Sequence, residues 1–163
     1  MTQEERAIQA DRMRFTKDKL SSNLVLIAIV FDALYFVSLY QTDIGSYYYN
    51  WKIGASVVYN LLLMLAAFLA SEGVKSRKTG YTGLLIFLGV MQVVRIFYLP
   101  TQAAKDVVTV SGVEYPAMER GQYIYVVVCL IISAVCCIAA AVNSSINNRR
   151  LAQHMATLEN KTA

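Results

Sequence analysis

The sequence holds little of what a catalytic or disulfide-held protein is built from. Among 163 residues there are one histidine, three cysteines, two prolines and one tryptophan, and only 16% of residues are charged. Soluble domains carry about 25%. The three cysteines, Cys129, Cys136 and Cys137, fall in a single apolar run, so the remaining segments can form no disulfide framework and there is no Cys-x-x-Cys for thiol redox chemistry. The lone histidine, His154, has no neighbouring set of metal-ligand types and reads as a surface residue.

What the chain has instead is apolar length. Runs of 17, 18, 19 and 20 residues, Leu24 to Tyr40, Ile53 to Ala70, Tyr81 to Leu99 and Tyr123 to Val142, contain only two charges, Asp32 and Arg95. A helix rising about 1.5 Å per residue needs about 20 apolar residues to cross the hydrocarbon core. These lengths exclude a soluble enzyme. A nucleic-acid-binding domain is excluded as well, because the net charge of +4 and the pI near 9.0 come from the flanks of the runs rather than from a basic face. The fold class expected is all-α: a polytopic, four-transmembrane-helix bundle with a cytoplasmic N-terminal helix, a cytoplasmic C-terminal helical extension and a small external loop cap.

Some twenty polar residues precede the first run and no small-residue cleavage site follows it, so that run reads as a permanent anchor rather than a signal peptide. Lysine and arginine are retained on the cytoplasmic side during insertion. Eleven of them fall in three segments: Arg6, Arg12, Arg14, Lys17 and Lys19 before the first run; Lys75, Arg77 and Lys78 between the second and third; and Arg149, Arg150 and Lys161 after the fourth. The intervening loops hold only Lys52, Lys105 and Arg120. The expected organisation is a single membrane domain with both termini cytoplasmic, in the cell membrane. It comprises an N-terminal helix over 1–21, spans over 22–40, 53–71, 81–99 and 123–142, outer loops over 41–52 and 100–122, a cytoplasmic loop over 72–80 and a tail over 143–163.

Thr2 and Glu5 have capping-box spacing, which predicts a helix from about Gln3 to Leu20 with its bases near anionic headgroups. The tail from Asn143 to Asn160 is of helical composition and is expected to continue the fourth span. The first outer loop, with Tyr47, Tyr48, Tyr49 and Trp51, suits the headgroup level, where amphipathic rings settle. The second contains Val107 to Tyr115, two β-prone runs around Ser111-Gly112, a hairpin signal. Both prolines, Pro100 and Pro116, are read as lying outside the spans.

The polar residues inside the runs carry the most information. A charged side chain at the centre of a spanning helix opposes insertion by about 2.5–3.5 kcal/mol and so faces a partner or a wet cavity. Asp32 lies about 15 Å and Arg95 about 21 Å from the same end of the bundle, and a long arginine leans toward its helix N-terminus, so the two can pair. Helical spacing places Tyr35 beside Asp32, Ser56 beside Asn60, and Gln92, Arg95 and Tyr98 on one stripe. A polar centre of Asp32, Tyr35, Asn60, Gln92 and Arg95 is therefore expected. Two readings stay open: a self-satisfied network that fixes helix packing, or a substrate or ion site. On the fourth run, Cys129, Ser133, Cys137, Ala141 and Ser145 repeat every four residues, a stripe of small side chains suited to close helix packing within the bundle or between protomers.

One carboxylate and no histidine lie within the runs, so neither a carboxylate dyad nor a metal centre is expected there, no cofactor is implied, and the chain is not read as an enzyme. The function expected is that of a homo-oligomeric channel or transporter-like protein, with its aqueous path between protomers. The alternative is a non-catalytic accessory or scaffold subunit bound to a larger membrane-protein partner. The expected partners are thus the lipid bilayer and either further copies of this chain or a larger complex, with no nucleic acid.

Overall fold

A computed structural model describes residues 17–40, 51–105, 107–110, 113–116 and 118–162. Four helices hold nearly all of them: α1 Lys19–Tyr40, α2 Trp51–Lys75, α3 Gly80–Ala103 and α4 Arg120–Thr162. Each includes a stretch long and apolar enough to cross a membrane. Between α3 and α4, β1 Val107–Val110 pairs antiparallel with β2 Val113–Pro116, Val107 opposite Pro116 and Val110 opposite Val113. The tyrosine-rich segment 41–50 and residues 1–16 of the N-terminal helix expected over 1–21 lie outside the described residues.

The helices close a square in which each packs against its neighbours in sequence and α4 returns to α1. Contacts at the ends fix the alternation of direction. Asp18, before α1, meets the last turn of α2 and Asn143 of α4, and Thr82 in the first turn of α3 meets Ser144 of α4. At the opposite end, Gln122 at the start of α4 donates to the Ser38 carbonyl near the end of α1.

The outside of this square is apolar. Leu61, Leu62, Leu65 and Leu69 of α2 and Phe87, Val90, Val94 and Phe97 of α3 are all exposed, Phe97 by 71%. A soluble monomer rarely shows a contiguous apolar surface beyond a few hundred Å². Around a bundle of spanning length, such a surface faces lipid at no hydration cost, and the chain has the architecture of a small membrane protein.

Inside, two apolar clusters stack along the bundle. Val25, Leu63, Ala67, Ala70, Val74, Leu85, Leu88, Ala140 and Ala141 come from all four helices. Tyr35, Leu39, Ala103, Met118, Val126, Cys129 and Leu130 form the second. On α4 the buried seam runs Val126, Leu130, Ser133, Cys137, Ala140 and Ser144, alternating steps of four and three. That period of 3.5 is the one that keeps a seam facing its partners in a left-handed bundle. Gly89 lets α3 and α4 approach closely, since a Cβ there would lie 2.9 Å from Ile138 Cγ1 and 3.4 Å from the Ala134 carbonyl oxygen.

Two local features differ from the sequence expectation, and a third, the continuation of the fourth helix through the tail, agrees with it. Lys17 and Asp18 are not helical, so α1 starts with its own cap rather than continuing a helix that reaches Leu20. Pro100 lies inside α3, not beyond it. Its ring removes the N–H that would bond the Ile96 carbonyl, and the Thr101 hydroxyl takes that carbonyl instead at 2.7 Å, so the helix continues to Ala103. Finally, α4 runs unbroken for 43 residues, about 64 Å, roughly twice the hydrocarbon thickness.

Candidate polar centre within the bundle

Between the two apolar clusters lies a polar layer built around one guanidinium. Arg95 Nη1 donates to Asp32 Oδ1 at 2.6 Å and to Gln92 Oε1 at 2.6 Å, while Nη2 donates to Asn60 Oδ1. Arg95 thus takes an oxygen from each of three helices. Its Cζ stands 4.5 Å from the centroid of the Tyr35 ring and 5.9 Å from that of Tyr59. Asp32, Tyr35, Asn60, Gln92 and Arg95 are all buried, with side-chain exposures of 5% for Arg95 and 3% for Asp32.

Local structure explains the convergence. Asp32 and Tyr35 are one turn apart on α1, and Gln92 and Arg95 one turn apart on α3, so each pair presents one face. Arg95 reaches back along α3 toward its own N-terminus, where Gln92 holds the guanidinium plane against α1 and α2. The charge is compensated within the layer: one cation, one carboxylate, two amide oxygens and aromatic faces, the arrangement that lets a buried charge persist in low dielectric. Asn60 is incompletely used. Its Oδ1 accepts from Arg95, but its buried Nδ2 has no hydrogen-bond partner among the described residues.

Tyr98, expected on the same stripe, is 62% exposed and faces outward. Each residue turns the helix by about 100°, so Tyr98 lies about 120° around α3 from Gln92. Tyr59 was missed by sequence reasoning because its neighbour Asn60, not Tyr59 itself, is the inward residue of α2. Ser56 is half-buried, one turn from Asn60.

The small-residue stripe of α4 is turned into the bundle. Cys129, Ser133, Cys137 and Ala141 are buried, and Ser133 Oγ donates to the Ala28 carbonyl of α1 at 3.1 Å. Ser145 is only half-buried, and Ser144 takes its place at the end of the seam. A spacing of four drifts about 40° per step around the helix, so the four steps from Cys129 to Ser145 cannot stay on one face. Of the two uses expected of this stripe, packing within the bundle or between protomers, the hydrogen bond from Ser133 to α1 belongs to the first.

A second polar network, not anticipated, closes one end of the bundle. Asp18 caps α1: Oδ1 accepts from the Ser21 backbone N–H at 3.1 Å and Oδ2 from the Ser21 hydroxyl at 2.8 Å. Asn147 Nδ2 donates to Asp18 Oδ2 at 3.0 Å, and Asn143 Nδ2 donates to Ser21 Oγ at 2.8 Å. The Ser22 and Ser71 hydroxyls meet at 2.8 Å, tying α1 to α2. The spacing Asp18-x-x-Ser21 is an N-cap signal that could have been read, but within a run of polar flanking residues it does not stand out.

Among the described residues, no three of histidine, cysteine, aspartate and glutamate gather in a group that could hold a metal ion. No protein-family model, curated protein or solved structure matches the chain.

Proposed function

We propose that this protein is a non-catalytic subunit or scaffold of a larger membrane assembly, and that its polar centre is a packing lock rather than a conduction path. The observation that carries this reading is the position of Arg95, which draws oxygens from α1, α2 and α3 onto itself between two apolar layers. A lone buried cation held in this way specifies which faces of the helices meet. The burial of most of the small-residue stripe, with Ser133 bonded to α1, weighs the same way, since it favours packing within the bundle over contacts between protomers. In this reading the end carrying Asp18, Lys75 and Asn147 is cytoplasmic, as the lysine and arginine bias requires. The exposed part of α4 beyond Arg149 is then presented in the cytoplasm of the cell as a contact for the partner.

A second reading, a solute-binding transporter, is favoured by one observation. The Asn60 amide hydrogens lack an acceptor among the described residues, and between Gly54 and Tyr59 α2 buries no residue fully, so this stretch of α2 is the least-held wall of the centre. The two readings part in proteoliposomes. Purified protein alone is expected to be monomeric by native mass spectrometry and to conduct neither ions nor small solutes. Flux from the purified chain that Asp32→Asn abolishes would overturn the scaffold reading in favour of transport.

A further inference from the structure

The turn between α2 and α3 has an unusual residue at its pivot. Arg77 N–H donates to the Val74 carbonyl at 2.9 Å and Lys78 N–H to the Gly73 carbonyl at 3.1 Å, the paired bonds of a Schellman helix end. The first of these two donors sits in the left-handed region that such an end requires, and it is Arg77, at φ 55°, where glycine would be the unstrained choice. The arginine side chain is fixed as well as the backbone. Its Nη1 donates to the Asn147 carbonyl of α4 at 3.1 Å. The Nε–H, on the opposite edge of the guanidinium, is buried without an acceptor among the described residues. That edge, Nε with Nη2, is the fork that matches two oxygens of a phosphate or carboxylate.

The surroundings are basic and lie where α2 leaves the apolar region. The turn residues Ser76, Lys78 and Thr79 are exposed, and Arg149 and Arg150, also exposed, follow two and three residues after Asn147. Lys17 and Lys19 flank Asp18, whose N–H donates to the Lys75 carbonyl at 3.2 Å, so the basic residues of three segments converge on this end. Among the described residues, the two acids at this end are already engaged. Glu72 holds Lys75 at 2.9 Å, and Asp18 is saturated by Ser21 and Asn147.

We propose that half-buried Arg77 is a headgroup site for anionic phospholipid, with a phosphodiester oxygen taken by the accessible part of a guanidinium that α4 holds in place. The neighbouring lysines and arginines raise the local concentration of anionic lipid, as basic segments at a membrane surface do. Arg77 converts that diffuse attraction into a defined contact. The site does not depend on which way the chain is inserted, nor on the scaffold reading.

The test is thermal unfolding in nanodiscs of phosphatidylcholine with and without phosphatidylglycerol. Wild type is expected to gain about 2–4 °C in Tm from the anionic lipid. Arg77→Gln and Arg77→Gly should each lose more than half of that gain, whereas Lys78→Gln and Arg150→Gln should keep most of it. Arg77→Gly also relieves the left-handed strain, so it should match or exceed wild type in phosphatidylcholine alone. This separates loss of lipid binding from loss of fold. No gain in wild type, or equal losses for Arg77→Gln and Lys78→Gln, would overturn the site. An equal Tm gain from inorganic phosphate in phosphatidylcholine discs would overturn the assignment to lipid.

Discussion

Arg95 Nη1 and Asp32 Oδ1 stand 2.6 Å apart, sixty-three residues apart in sequence, and this ion pair joins α1 to α3 in the middle of the bundle. Neither group has water to fall back on, so each makes the other tolerable. Removing one leaves an uncompensated charge, which costs about 3–5 kcal/mol at a buried site, whereas removing both leaves none. Asp32→Asn and Arg95→Gln should therefore each lower detergent-phase stability strongly, and the double variant should lose clearly less than the sum. Strictly additive losses in thermal or denaturant unfolding would show that the pair contributes no coupling.

Much of this was legible in the sequence because a charge inside an apolar run is conspicuous. Asp32 and Arg95 are the only two, and the 3.6-residue period then brings Tyr35 and Gln92 onto the same faces. The same period also carries residues off a shared face. Two steps of three residues carry Tyr98 out of the centre, and repeated steps of four carry Ser145 off the seam, although each step taken singly joins neighbours on one face.

The parts that were not legible involve polar residues where polarity is expected. At the edge of a membrane run, Asp18, Ser21, Asn143 and Asn147 look like ordinary hydrophilic flanks, and nothing local says that they meet. Pro100 misled in the other direction. Proline ends most helices, but here the Thr101 hydroxyl supplies the donor that the ring lacks, a substitution visible only once the Ile96 carbonyl has been placed.

The Asp18 cap is open to a graded test. Replacing it with alanine removes an N-cap, worth about 0.5–2 kcal/mol, and leaves the Asn147 amide without its acceptor, which adds about 1–3 kcal/mol if the amide stays buried. Asp18→Asn keeps one capping oxygen and should fall between wild type and Asp18→Ala. If the two variants unfold at the same temperature as wild type, the network at this end does not hold α1 to α4.

Orientation can be read by labelling. Ser76 is exposed in the turn after α2, and Glu114 is exposed on β2 at the opposite end of α3. In intact cells, an impermeant maleimide is expected to react with Glu114→Cys and to spare Ser76→Cys until the cells are opened. The reverse pattern would invert the topology and move the exposed end of α4 out of the cytoplasm.

Ser133 and Cys137 are buried against the bundle, whereas Val135, between them in sequence, is 60% exposed. If the small residues serve packing within one chain, a larger side chain has no space to enter. Ser133→Ile should then lose the hydrogen bond to the Ala28 carbonyl and overpack the α1 contact, lowering stability by about 1–3 kcal/mol without altering the mass of the assembly. Gly89→Ala should act in the same direction from the α3 side, because its new Cβ would press on Ile138 and the α4 backbone. Val135→Phe, on the lipid-facing side, should leave stability nearly unchanged. Native mass spectrometry and thermal unfolding of the three variants decide the matter together. A change of oligomeric state in Ser133→Ile with unfolding unchanged would mean that this face meets another protomer rather than α1.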